Sequence, residues 1–209
     1  MIEPEWVCLE LLKTRGWEAR DRDDDLLDAD LRFLAWSRQQ RLLDAGEARR
    51  LREVVRESPP WWGSLRHSIR ELRLLLHRIF VRVAEDALPD ADDLAALEEV
   101  LSARGQEMTM ARAESGRLAW RWKSEFDAPL TDLEGERLGR AVAARILGGI
   151  ARSAADLLTS GSLERVKICD AHDCGWFFVD VSRNRSRRWC DMAGCGNRVK
   201  ARRYRERHA

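Results

Sequence analysis

Four of the five cysteines fall near the end of the chain as two pairs, Cys169/Cys174 and Cys190/Cys195, each with four residues between its members. Thiolates at that spacing can bend around one ion. Four of them satisfy the tetrahedral geometry that zinc prefers in a closed structural site. The expected cofactor is therefore Zn2+, held by Cys169, Cys174, Cys190 and Cys195. A shell of four cysteines leaves no open coordination position, which argues against a catalytic metal. His172 lies inside the first pair and could compete as a ligand, but four cysteines already complete the shell. Clustered cysteines in a reducing compartment favour metal over disulfides. Cys8 stands apart in an apolar run and reads as a buried, inert thiol.

Basic residues crowd the second pair. Arg183, Arg185, Arg187 and Arg188 precede it; Arg198, Lys200, Arg202, Arg203, Arg205 and Arg207 follow it. From residue 161 onward the chain carries twelve Lys/Arg and six Asp/Glu, whereas residues 1–160 carry 25 and 30, so the formal net charge of +1 hides a division. A metal-fixed unit bearing clustered guanidinium groups suits nucleic-acid phosphates. DNA is the first expectation. RNA, a protein partner, or pairing of the arginines with the acidic body are the alternatives. On a helix spanning 196–207, Arg198, Arg202 and Arg205 share one face, while Lys200, Arg203 and Arg207 lie nearly opposite. Ala201, Tyr204 and His208 form a weakly apolar stripe suited to packing on the neighbouring hairpin.

These groups need elements to hold them. Residues 176–181 are apolar on both alternations, with Phe177, Val179 and Val181 on one side and Trp176 and Phe178 on the other. That pattern predicts a strand buried on both sides, one towards the zinc unit and one towards the rest of the protein. Residues 182–187 read as a turn, and Arg188-Trp189 as a return strand. Ser160-Gly161-Ser162 is the clearest linker. It divides a helical domain, 1–160, from a small zinc unit, 161–209, and its shortness implies that the two pack together. A segment under fifty residues does not fold easily on hydrophobic burial alone, and zinc supplies the missing stability.

In the body, apolar residues at helical spacing predict helices at 5–13, 29–43 behind an Asp28 cap, 46–57, 61–87, 91–104 behind Asp90, and 132–158. Leu31, Leu34, Ala35 and Leu42 are placed on one face of the second. Ser58-Pro59-Pro60 and Pro89 are expected to stop helices. Arg66, Arg70, Arg73 and Arg82 are expected to reach outward from the apolar body of the long fourth helix. His67 and His77 are about 15 Å apart along it at the helical rise and read as ordinary helix histidines. Thr131 and Glu134 fit a capping box, and Gly148-Gly149 suit close packing or a kink. Residues 17–25 read as an acidic, solvated loop. Residues 107–123 alternate, with Glu114-Ser115-Gly116 between, and predict a β-hairpin that lies on the helices. The fold class is mainly α: an orthogonal helical domain with a small β-hairpin, then a treble-clef-like four-cysteine zinc finger.

There is no P-loop, Rossmann glycine pattern, HExxH or GxSxG, which lowers the expectation of an enzyme. No window approaches eighteen apolar residues, and the acidic start lacks the basic region of a signal peptide. A cytoplasmic protein with no membrane span is expected. A second reading keeps the zinc tail purely structural and gives the body a ligand-binding or enzymatic pocket, with Trp61, Trp62, Trp120 and Trp122 as lining. A third is an RNA or protein adaptor.

The tail resembles the CGNR zinc-finger family, whose name-giving motif stands here as Cys195-Gly196-Asn197-Arg198. The resemblance covers about residues 166–207. It includes the Cys-x4-Cys pair, an aromatic followed by Val-Asp, Ser-Arg-Asn, Arg-Arg-Trp-Cys-x-Met, and Lys-Ala-Arg-x-Tyr-Arg-x-Arg. Residues 5–160 resemble the helical ABATE domain that precedes such fingers, chiefly through Leu-Glu-Leu-Leu-Lys-Thr-Arg-Gly at 9–16. Lys13 stands where that family commonly has asparagine. The resemblance implies a stress-induced transcription regulator whose four cysteines bind zinc. Asn197 and the basic residues around the cysteines would contact DNA. The helical domain would sense a small-molecule effector or form a homodimer.

Overall fold

The computed structural model describes residues 6–14, 25–104, 106–112, 118–124 and 130–208, with 106–112 and 118–124 described by their backbone. Within these residues the chain forms α1 (Val7–Leu12), α2 (Asp30–Gln39), α3 (Ala45–Val54), α4 (Pro60–Ala84), α5 (Ala91–Ala103), β1 (Gln106–Arg112), β2 (Leu118–Ser124), α6 (Gly135–Leu158), β3 (Val166–Ile168), β4 (Phe177–Val179) and α7 (Asn197–His208). The architecture is mainly helical, as expected. β1 and β2 form an antiparallel hairpin in which Met108 pairs with Trp122 and Met110 with Trp120. The 114–116 turn, the loop at 17–24 and the side chains of Trp120 and Trp122 lie outside the described residues.

The two long helices, α4 and α6, form the spine, with α1 and α5 packed against both. Their stripes supply the core: Ile69, Leu76, Ile79 and Phe80 from α4 and Val142, Ile146, Ile150 and Ala154 from α6 are fully buried. β1 lies on α5 and α6, so the hairpin is supported by the helices. Gly149 allows close packing, since a Cβ there would stand 2.5 Å from Leu42 Cδ2.

Several boundaries differ from the periodicity reading. α2 stops at Gln39 because Arg41 takes a left-handed φ of 58°. Its buried face is Phe33, Leu34 and Ser37, whereas Leu31 is 51% exposed. Asp28 belongs to a 3-10 turn before α2, and that turn is capped by the Asp25 carboxylate, which accepts the Leu27 N–H at 2.9 Å. α3 gives way to a 3-10 turn at 55–57, and Ser58 at φ 48° ends it. Pro60 then opens α4 at a position where its missing N–H costs nothing. α4 ends at Ala84, before Pro89, where Glu85 leaves helical geometry and Asp86 turns to φ 56°. Asp90 precedes α5 without a side-chain cap bond. The expected capping box at 131–134 does not form: Leu130–Asp132 is a 3-10 turn, and α6 begins at Gly135. Arg50 holds that turn from α3 by donating to the carbonyls of Leu130 and Leu133. A capping box does form on α3, between Asp44 and Glu47, and Glu47 also pairs with Arg145 of α6.

Arg73 does not reach outward. It is 1% exposed and bonds Asp25 and, at 3.0 Å, Thr14 Oγ1. A buried guanidinium is tolerated when paired and hydrogen-bonded in this way. Burial pushes the Asp25 carboxyl up, but hydrogen bonds from Arg73 and Leu27 outweigh it and hold the group below the usual carboxylate range.

Candidate metal centre and basic surface

β3 and β4 pair antiparallel, with Val166 opposite Val179 and Ile168 opposite Phe177. Cys169 continues the ladder by donating its N–H to the Trp176 carbonyl at 2.9 Å. The chain then turns back through Cys174, whose N–H bonds the Ala171 carbonyl at 3.0 Å, and through Gly175 at φ 67°. The first cysteine pair thus forms the tip of a short hairpin. The strand is shorter than the expected 176–181, and Val181 is 39% exposed. Within it the two-sided burial holds. Phe177 and Val179 join the helical core, whereas Phe178 joins Cys169, Cys174, Cys195 and Val199 in a second cluster. Phe177 reaches α4, with its ring centroid 5.5 Å from His77 and 6.3 Å from Phe80.

Asp180, fully buried, organises the next loop, a role that sequence reasoning missed. Its carboxylate accepts from Lys167 Nζ at 2.7 Å, Ser182 N at 3.0 Å and Arg187 N at 2.9 Å. Burial raises its pKa, but these donors overcome that and hold it well below the ordinary carboxylate value. The only advance signal was an acid at the end of an apolar run. Arg188-Trp189 is not a strand; β4 pairs with β3 instead. The segment is held by the Asp170 N–H, which donates to the Arg188 carbonyl at 2.9 Å.

In the second pair, Cys190 lies two residues before a π-type turn, Met192–Gly196, and Cys195 lies on that turn, which feeds directly into α7. Asp191 caps the turn by accepting from Ala193 N at 3.2 Å and Gly194 N at 2.5 Å. Gly196 has no room for a side chain, because a Cβ would lie 2.6 Å from Met192 Sδ.

The four cysteines converge. Their Sγ atoms all lie within 4.8 Å of one another, with Cys174–Cys190 and Cys190–Cys195 both at 3.6 Å. A zinc–sulfur bond of about 2.3 Å sets tetrahedral sulfur separations near 3.8 Å, so the site fits zinc. His172 lies on the exposed rim and outside this sulfur cluster. Hydrogen bonds from the Cys174 and Cys190 thiols lower the Cys169 pKa. The same crowding raises Cys174 and Cys190, and burial raises Cys195. The arrangement, one pair at a hairpin tip and one at a helix start, is treble-clef-like.

The basic residues divide by what they touch. Arg187 points inward: Nε bonds the Trp189 carbonyl at 3.0 Å, Nη2 bonds the Cys190 carbonyl, and the guanidinium covers Phe178 at 4.9 Å. Arg198 bonds Asp173 and Cys195 Sγ, each at 3.2 Å. Arg188 pairs with Asp170 at 2.7 Å, Arg185 with Glu164 at 3.3 Å, and Arg202 with Glu206 at 3.4 Å. Arg183, Lys200, Arg203 and Arg205 are exposed, with no ion pair among the described residues. Asn197 is exposed at the first residue of α7. The expected stripe of Ala201, Tyr204 and His208 is not buried against the hairpin: all three are exposed, and Tyr204 stacks on His208 at 4.1 Å. α7 is anchored by Val199, its one buried residue. Its face of Arg198, Arg202 and Arg205 is correspondingly broken, because Arg198 turns to the cysteines.

Residues 165–208 match the CGNR zinc finger. Residues 5–161, well over half of the chain, match the ABATE family, described as "Putative stress-induced transcription regulator". The chain belongs to the ABATE family. No curated protein matches it. The ABATE domain thus carries the hairpin, and the CGNR finger carries the cysteine cluster. No helix among the described residues is long and apolar enough to cross a membrane.

Proposed function

We propose that this protein is a cytoplasmic, DNA-binding transcription regulator and not an enzyme. Its division falls at 160/161: the CGNR finger, closed by Zn2+ on Cys169, Cys174, Cys190 and Cys195, holds phosphates, and the ABATE domain senses an effector or forms a homodimer. The observation that carries this reading is where the arginines find their partners. The ion pairs of Arg185, Arg188, Arg198 and Arg202 all go to carboxylates within the finger itself. The basic surface is therefore not consumed by the acidic body, and α7 offers Lys200, Arg203 and Arg205 to solvent. Zinc fixes the base of that helix, so the cations stand on a rigid support. Phosphate contact is the task such groups perform without defined base-edge geometry.

A cleft of about 660 Å³ supports the sensing role. It lies between α4 and α6 and is lined by Trp61, Leu65, Leu147, Ser64, Arg104 and Arg140. Trp62, in contrast, is 2% exposed and belongs to the core.

The test is titration of zinc-loaded full-length protein against duplex DNA over a salt series. Replacing Lys200, Arg203 and Arg205 together by Gln is expected to weaken binding. It should also flatten the log–log salt slope by about 0.9 for each phosphate no longer neutralised, about 2.7 if each cation holds one. Absence of binding to genomic DNA at low salt would overturn the proposal. Preference for single-stranded RNA in a mixed pool would move the protein to the adaptor reading.

A further inference from the structure

We infer that Arg198 is a positioning residue of the metal centre, an outer hydrogen-bond donor to the Cys195 thiolate, and not a phosphate contact; this rests on the zinc reading above. The guanidinium nitrogen Nη2 stands 3.2 Å from Cys195 Sγ and 3.2 Å from Asp173 Oδ1. Arg198 lies on α7, three residues after Cys195, and Asp173 immediately precedes Cys174 on the other knuckle. One guanidinium therefore spans both cysteine pairs. Its Nε is buried, with no hydrogen-bond partner of its own. The head group is seated against the finger, and turning it towards a phosphate would break both bonds.

Four thiolates around a divalent ion leave two net negative charges in a small volume. An N–H donor to sulfur withdraws part of that charge and favours the thiolate over the thiol. Such outer-shell partners typically change metal affinity 10–100-fold. Arg187 braces the backbone of the other cysteine of that pair, where it donates to the Cys190 carbonyl and rests on Phe178, without touching sulfur. Arg198 and Arg187 thus flank the second cysteine pair, one at a thiolate and one at a carbonyl. An Arg–Asp ion pair near the surface would by itself leave the metal's sulfurs unchanged, so the bond to Cys195 Sγ is what separates the two roles.

The experiment uses the full chain loaded with Zn2+ or, as a spectroscopic probe, Co2+. Arg198→Gln is expected to lose zinc to a competing chelator at about 10–100-fold lower chelator concentration than wild type. In the cobalt form its thiolate-to-metal charge-transfer band should move to lower energy, because the sulfur donates more strongly without the N–H bond. Arg198→Lys should recover part of both effects, and Arg205→Gln neither. Asp173→Asn, which leaves the arginine in place, covers the case in which Arg198→Gln does not fold, and should shift both readouts the same way by less. With zinc saturating, Arg198→Gln should keep the wild-type salt slope for DNA. Wild-type chelator competition and an unmoved cobalt band in Arg198→Gln, or in Asp173→Asn where it replaces that variant, would overturn the inference. Failure of the wild-type chain to take up either metal would instead overturn the zinc reading beneath it.

Discussion

Phe177 is the largest of the finger residues that enter the helical core, beside Val166 and Val179, and Phe177→Ala tests whether the two parts stand as one unit. The ring is fully buried and sits against His77 and Phe80 of α4. Truncating a buried phenylalanine costs about 3–5 kcal/mol, the forfeited transfer term plus the cavity left behind. The site lies at the seam between β4 and α4, where neighbours can close part of the gap, so the lower end, about 3 kcal/mol, is expected. For a chain of this size that is about 6–12 °C in Tm. It is also a large share of a typical domain stability of about 5–15 kcal/mol. The assay follows helix content by circular dichroism and zinc release by a chromogenic chelator through the same urea titration. In wild type the two transitions should coincide. In Phe177→Ala both should move down, with zinc release running ahead of helix loss. Phe178, one residue on, faces the cysteine cluster, so Phe178→Ala should advance zinc release and leave helix loss nearly in place. If Phe177→Ala left helix loss at its wild-type midpoint, the finger would be held by something other than this ring.

Asp180→Asn should destabilise the finger by about 2–4 kcal/mol at pH 7, because the buried charge that pairs with Lys167 is lost and one of its two accepting oxygens becomes a donor facing donors. Its folded pKa is depressed, so the stabilisation is present above the ordinary carboxylate value and fades as pH falls through the lower folded one. Urea midpoints of the two proteins should therefore differ by a constant amount between pH 7 and 5 and converge below about pH 4; convergence above pH 5 would contradict the assigned bonds. Burial pushes the Cys8 thiol up to about 12. At pH 8 a thiol reagent should modify none of the five cysteines with zinc bound, four after chelation, and the fifth only in denaturant; reaction of Cys8 with the other four would contradict its placement in the core.

The parts of this fold that depend on periodicity could be read from the sequence. The stripes of α4 and α6 and the two-sided apolar run at 177–179 need only the alternation of side chains to specify them. The convergence of the four cysteines was equally readable, because cysteine spacing carries its own chemistry. Helix starts were less so, and one capping box expected but absent, beside one formed but not expected, shows why. Thr131–Glu134 and Asp44–Glu47 carry the same signal. At the first, Arg50 reaches across from α3 and takes the carbonyls of Leu130 and Leu133, so tertiary structure decides the backbone. No local pattern contains that arginine. Arg73 was misplaced for the same reason, since its partner Asp25 lies 48 residues away.

The fates of the finger's arginines were hidden because twelve cations share the segment with six carboxylates, and the sequence does not say which meet. Folding pairs them locally. Asp180 takes Lys167, Glu164 takes Arg185, Asp170 takes Arg188, Asp173 takes Arg198 and Glu206 takes Arg202. Four of these five pairs lie near the hairpin and the cysteines, and only Arg202–Glu206 is within α7. The net charge is unchanged by this, but its location is not. The ion-paired part is the base that carries the cysteines, and the exposed cations without an ion pair among the described residues are Arg183, Lys200, Arg203 and Arg205, with Arg207 beyond them on the exposed last turn. A finger whose charge were spread evenly would attract an anion to the cysteine face as readily as to the helix. Here the unpaired exposed cations stand mostly on α7, away from the sulfurs, so under the proposed function phosphate binding and metal retention would depend on separate residues.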